Sequence, residues 1–356
     1  MKQQLLLFLF FGLLILNSCT GDGKSNATTA THPQTSNINI NNTNLSVYTH
    51  RYLVSDVALF ENFEKQANKK VDIYLSSGAK ILELAKKGQL KGDVVILQDL
   101  YQAHQLKKMG LIEPFHAGTF DEMVPSKYID NEGYWAGLSR WTMSNVYRIK
   151  KADALQMRNY AGILDPQFKG RVVTPHPDSS GLVTFVASML AAHGKDATST
   201  YLRLLNKNLV GPPSGSDYDA MQVVLTGKAD IAFMSGSAYM RFRNSGNIDL
   251  YRKTNALAIE VPVDAKENNY FNITPICILK NPPNRNYDIP LIEFLTKKDN
   301  QNTYTEAMME YPVNIFSDVV YFLDEIFHLP QGIITMEDTE NQLDTARELI
   351  RTIMGV

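Results

Sequence analysis

Asp93-Val94-Val95-Ile96-Leu97, followed by apolar positions at Leu100, Ala103, Leu106 and Met109 and closed by Gly110, is the stretch that decides the fold. Four consecutive apolar residues behind Asp93 read as a short strand covered on both faces. The three-residue spacing after them lays one face of a helix against that strand, and Gly110 tolerates the left-handed conformation that ends helices. The same unit recurs upstream. Residues 45–48 read as a strand, and Ser55 is placed to cap a helix whose inner face is Leu59, Phe60, Phe63 and Ala67. Residues 71–75 alternate as a strand, and Ile81, Leu82, Leu84 and Ala85 mark the next helix. Repeated strand–helix units predict an α/β protein with a mainly parallel sheet.

A second set of units follows. Arg171-Val172-Val173-Thr174 leads through Pro175 and Pro177 into a helix over residues 182–192, closing near Gly194. A helix ending near Gly227 precedes a buried strand at residues 229–234; residues 272–279 return to strand and 291–295 to helix. Leu343, Ala346, Leu349, Ile350 and Ile353 form an amphipathic stripe near the end of the chain. The 356 residues exceed one ordinary domain of roughly 100–150 residues, so two α/β lobes and a terminal helical segment are expected. A hydrophobic content of 44% with 20% charged residues suits a globular core, and a net charge of −2 leaves no footprint for nucleic acid.

The first residues differ in kind. Lys2 precedes an apolar run from Leu5 to Leu16 broken only by Gly12, which reads as a secretory signal over residues 1–18 and is shorter than the roughly 20 residues of a membrane span. Leu16-Asn17-Ser18-Cys19 resembles the bacterial lipobox. In that family the cysteine carries acyl chains, which here implies a protein tethered to a bilayer through Cys19. Residues 19–45, rich in Ser, Thr, Asn and Gly, read as a flexible polar linker. Only two cysteines exist, so an acylated Cys19 leaves Cys277 unpaired; set in Ile276-Cys277-Ile278-Leu279, it reads as a buried, inert thiol.

Open α/β sheets bind ligands at the carboxyl ends of their strands. Three loops qualify: residues 48–52, residues 177–181 and residues 235–239, with Gly215-Ser216-Asp217 a weaker fourth. Ser179, Ser180 and Gly181 open a helix, where N–H donors and the helix dipole favour an anion. Ser179 and Ser216 are equally placed to act as caps. His50 reads as solvated, and Tyr52 and Tyr239 as side chains spanning surface and core. No His-Glu-x-x-His, Gly-x-Ser-x-Gly, phosphate-binding loop or Cys-x-x-Cys is present, and no base–nucleophile pair stands out; an enzyme is not expected.

Residues 47–52, 93–97 and 110–114, then Phe168-Lys169-Gly170-Arg171-Val172, Gly227-Lys228-Ala229-Asp230, Pro283-Asn284-Arg285 and Glu310-Tyr311-Pro312-Val313, stand in an order that resembles the ferric-iron ABC transporter substrate-binding proteins. The resemblance implies a two-lobed periplasmic-binding-protein-like fold with a ligand cleft between the lobes. It places lobe 1 at residues 46–139 plus 271–313, lobe 2 at 140–270, and a C-terminal helical segment at 314–356 packed on lobe 2. It further implies Fe3+ as the transported ligand with a synergistic anion, and no catalytic cofactor. Hard ferric iron favours phenolate and carboxylate oxygens. The family carries two adjacent tyrosines after the strand matching residues 229–234; here Ala238 takes the first place and Tyr239 the second. Tyr52 aligns with a family histidine and Gln98 with a glutamate used by some members. Tyr52 and Tyr239 are therefore the expected metal contacts, and Ser179, Ser180, Gly181, Ser216 and Gln98 the expected ligand or anion contacts. The implied protein is a monomer facing the periplasm, anchored to the inner or outer membrane by Cys19. Its partners are an ABC permease, the lipid bilayer and a small ligand. Two other readings stand beside it: a binding protein for a small organic or phosphonate-like anion, and an envelope protein that kept the fold without ligand uptake.

Overall fold

The computed structural model describes residues 43–51, 53–179, 181–266, 268–319, 323 and 334–356. The expectations for residues 1–18, Cys19, most of the linker, Tyr52 and Ser180 fall outside the described residues, as does the side chain of Ser179.

The first half of the chain builds three parallel strands, β1 (Leu45–Thr49), β2 (Val71–Leu75) and β3 (Val94–Ile96), in the order β2-β1-β3. Helices α1 (Val54–Ala67) and α2 (Gly78–Lys86) connect them, and α3 (Leu100–Lys108) carries the chain to the two-residue β4 (Ile112–Glu113). Asp99 caps α3 by accepting the Gln102 N–H at 3.2 Å, and Gly110 closes that unit with φ 64°. The expected cap at Ser55 is displaced to Leu53. Asp56, one turn inside α1, accepts the Leu53 N–H at 2.8 Å and is held there by the Arg51 guanidinium at 2.5 Å, so the helix starts before Ser55.

After α4 (Gly118–Met123), the 13-residue β5 (Ala136–Arg148) runs from this half into the second. There α5 (Ala154–Met157), β6 (Val172–Val173), α6 (Leu182–Asn208) and α7 (Asp217–Leu225) precede β7 (Ile231–Ser235). Next come α8 (Gly236–Arg243), α9 (Ile248–Thr254) and β8 (Leu257–Glu260). Strand β9 (Phe271–Leu279) returns to the first half, followed by α10 (Arg285–Thr296), α11 (Lys298–Met308) and β10 (Tyr311–Pro312). Two further helices, Met336–Glu340 and Leu343–Met354, end the chain.

The strand order is β2-β1-β3-β9-β5-β7-β6, with β4 beside β9 and both β8 and β10 beside β5. Among the described strands, β1–β2, β1–β3 and β6–β7 are parallel, whereas β3–β9, β9–β5 and β5–β7 are antiparallel. The sheet is therefore mixed rather than mainly parallel. The cause is the two crossing strands, since β5 leaves the first half and β9 comes back to it in the opposite sense. Gly194, with φ 76° and ψ 176°, interrupts α6 where a helix end is expected, but the chain resumes the helix as far as Asn208.

Two apolar clusters fill the interior. The larger spans β1, β3, β9, α3, α6 and the terminal helix; a smaller one gathers Val146, Met221, Met234, Tyr239, Leu257 and Tyr311 in the second half. Buried polar groups are satisfied unevenly. The Asp93 carboxylate receives the Ser46 N–H and hydroxyl and the Asn284 N–H and side-chain amide at 2.6–3.0 Å. Nearby Asp288 is fully buried with both oxygens unpartnered among the described residues. Burial, then repulsion from Asp93 and Glu113, pushes its pKa up to about 7. Cys277 is buried and free, its thiol pushed up by the same desolvation.

Candidate ligand cleft

The parallel geometry of β1 with β3, and of β6 with β7, sends each pair of carboxyl ends to one edge. Charges at the two edges lie close enough to interact: Arg51, just past β1, opposes the charge of Arg241 on α8. Burial above all, with a smaller push from Asp178 past β6, raises the carboxyl of Asp99 past β3. Helix α2 also lies against the turn at Pro177–Ser179.

The floor between the edges is made by the crossing strands. Trp141 of β5 and Asn272 of β9 are register partners. Both press on Gly181 at the start of α6: a Cβ there would sit 2.6 Å from Trp141 Cη2 and 2.9 Å from Asn272 Nδ2. Only glycine fits. Asn272 Oδ1 accepts the Leu100 N–H at 3.2 Å, which ties the floor to the start of α3. Its Nδ2 and Trp141 Nε1 are both buried donors without a partner among the described residues. A buried amide without a partner costs roughly 1–3 kcal/mol, so two such donors beside a helix N-terminus define a place for acceptor oxygens.

His50 follows β1 and lies near the Ile96 carbonyl, Arg51 and Arg241. Burial above all, then the positive charges of Arg51 and Arg241, drives its pKa down to about 3, while a hydrogen bond to the Ile96 carbonyl opposes the shift. The ring is thus neutral at physiological pH, with Nδ1 buried and unpartnered among the described residues. An imidazole fixed through one nitrogen and free at the other offers a lone pair to a metal or a donor. The neighbouring charges are spent internally. Arg51 pairs with Asp56, donates to the Tyr304 carbonyl at 3.1 Å and stacks 3.6 Å over the Tyr304 ring. Arg241 donates to the Met308 carbonyl at 2.9 Å and lies 3.9 Å from Glu310, whose carboxylate accepts from Ser139 and Thr274.

The expected contacts divide. Gly181 lies at the floor as described, and Gln98, half-buried between β3 and α3, forms no side-chain hydrogen bond among the described residues. Ser216 is a cap: its N–H and hydroxyl both donate to Asp219 at 2.8 Å, so an internal carboxylate already holds the anion's place there. The oxygen expected at Tyr239 is not presented to the cleft. The residue is 2% exposed in the smaller cluster, its hydroxyl 3.4 Å from the Leu257 carbonyl, and burial raises its pKa. Asn272 and Trp141 escaped the sequence reading because only strand register brings them together. His50 escaped because nothing local betrays its burial.

Two halves joined by crossing strands, with buried donors at Gly181 and an imidazole nitrogen past β1 that lack a partner among the described residues, are suited to holding a solute. Residues 58–318 match the family of bacterial extracellular solute-binding proteins, and the chain belongs to that family. It is a family of solute binders and not of enzymes. Among curated relatives, Iron uptake protein A2 of Synechocystis sp. is 23% identical over 273 residues, covering 76% of this chain and 78% of that protein. Among solved structures, the ferric binding protein from Campylobacter jejuni superposes with a TM-score of 0.78 at 22% identity, over 87% of this chain and 99% of the other. A Trichodesmium protein in complex with iron and citrate gives a TM-score of 0.78 at 20% identity, over 87% and 98%. These neighbours share the two-lobed fold.

Proposed function

We propose that this chain is the lipid-anchored capture component of an ABC importer and that it holds ferric iron as a complex with an anion between its lobes. The relatives named for iron uptake and ferric binding support the metal. The anion rests on one observation: Asn272 Nδ2 and Trp141 Nε1 beside Gly181 are buried donors, without a partner among the described residues, that the oxygens of an anion would satisfy. In this reading His50 Nδ1, Tyr52 and Gln98 meet the complex from lobe 1, and Ser179, Ser180 and Gly181 from lobe 2. The complexing anion supplies the hard oxygens that the family's pair of adjacent tyrosines would otherwise give. Contact with both lobes in one state is what lets a ligand favour that state. Cys19 keeps the device beside its permease.

Asn272→Asp tests the reading. It keeps the acceptor for Leu100 and replaces the free donor with a carboxylate oxygen. Calorimetric titration with ferric citrate should give 1:1 binding to the unaltered protein and at least a tenfold loss in the variant, about 1.4 kcal/mol. No binding by the unaltered protein, or equal binding by the variant, contradicts it. A second reading, a small organic anion without iron, is favoured by Tyr239 lying in the core. It predicts that citrate or a phosphonate binds as tightly without iron.

A further inference from the structure

The terminal helix Leu343–Met354 buries Leu343, Ala346, Leu349, Ile350 and Met354 and packs along α6. Its polar side does something more particular. Arg347 pairs with Asp178: Nη2 donates to Oδ2 at 3.3 Å and Nε lies 3.0 Å from Oδ1, while Nη1 donates to the Val356 carbonyl at 2.9 Å. Asp178 lies three residues ahead of Gly181, and its own N–H donates to His176 Nδ1 at 3.2 Å. One turn earlier, Asp344 meets Lys108 at 2.6 Å and Gln105 at 3.3 Å on α3. Glu340 accepts from Trp135 Nε1 at 3.1 Å and contacts His104 at 3.3 Å. The helix thus touches the loop that opens α6 and, through a separate set of charges, the helix that Asn272 ties to the cleft floor.

We propose that Arg347 is a positioning residue for the ligand loop at residues 177–181, with the terminal helix acting as a strap from that loop to α3. This rests on reading the start of α6 as the seat of the ligand's anion. A planar guanidinium tied to the Val356 carbonyl through Nη1 and to Asp178 through Nη2 fixes direction as well as distance, which a lysine in its place cannot do. The apolar grip on α6 is the broader attachment. The contacts to α3 are polar and partly exposed.

Hydrogen exchange read by mass spectrometry on the full chain tests this without any ligand. Arg347→Ala should speed amide exchange at least tenfold at residues 177–181 while residues 183–193 and 196–208 of α6 keep their protection. Arg347→Lys should recover only part of the protection. Ferric citrate affinity should fall in the same order, at least fivefold for the alanine variant. Unchanged exchange at residues 177–181 overturns the proposal. Exchange raised along all of α6 also overturns it, because Arg347 would then be a packing residue. A change in loop exchange with no ferric citrate binding by the unaltered protein upholds the positioning of the loop and rejects the ligand reading instead.

Discussion

Replacing Asp288 by asparagine should make the protein more stable, by an amount that depends on pH. Both carboxyl oxygens of Asp288 are buried and without a partner among the described residues, and its pKa rises from 3.8 to about 7. The unfolded chain ionises this group near 3.8, whereas the folded chain keeps it protonated to about 7. Between those values the folded state binds the extra proton, so stability falls as pH rises, and above about 7 the full cost is present. The interval from 3.8 to about 7, at ~1.4 kcal/mol per pH unit, sets a ceiling of roughly 4 kcal/mol. Asparagine has the same shape and no charge to lose. Asp288→Asn should therefore shift stability by 1 kcal/mol or less at pH 4 and raise it by ~2–4 kcal/mol at pH 8. Asp99 and Asp217, also buried and raised to about 7 and about 6, give both proteins the same background slope, which cancels in the difference. Urea denaturation at pH 4, 6 and 8 reads the effect directly. A variant that parallels the unaltered protein across this range, or is less stable at pH 8, refutes the reasoning.

Three further outcomes follow from the geometry. Gly181→Ala must push Trp141 or Asn272 aside and should cost ~1–3 kcal/mol in denaturant stability together with ferric citrate affinity in titration. Tyr239→Phe removes a long bond to the Leu257 carbonyl and an interaction with Arg243; stability should change by ~1 kcal/mol or less, and ferric citrate affinity should stay within about twofold. Loss of a tyrosinate-to-iron absorption band in that variant would instead show that the side chain turns into the cleft on loading. Glu310→Gln takes the charge from a buried carboxylate beside Arg241 and should cost ~2–4 kcal/mol, measured by thermal unfolding.

The repeating units were legible because their periodicity is local: residues 93–110 carry strand, helix and stop signal in one stretch, and the structure follows them. Strand β5 was not legible. Ser139, Arg140, Thr142, Ser144 and Asn145 break any apolar pattern, yet four of these five are buried: Ser139 bonds to Glu310, Asn145 to the Met157 carbonyl, and Thr142 and Ser144 to each other. A strand covered on both faces loses its period of two, and with β5 unseen the antiparallel middle of the sheet went unseen too. In the cleft, small residues ahead of an apolar helix marked Gly181, whereas the partners that make it indispensable come from register between two distant strands. Ser216 shows the converse: a sequence suited to an anion is equally suited to a cap, and Asp219 three residues on decides for the cap.

Native mass spectrometry of the protein taken from its own host tests the central claim most directly. The account predicts one bound species per chain whose mass contains iron together with an oxygen-rich anion, absent from Asn272→Asp prepared in the same way. An organic anion without iron, bound one per chain and retained by Asn272→Asp, would contradict it.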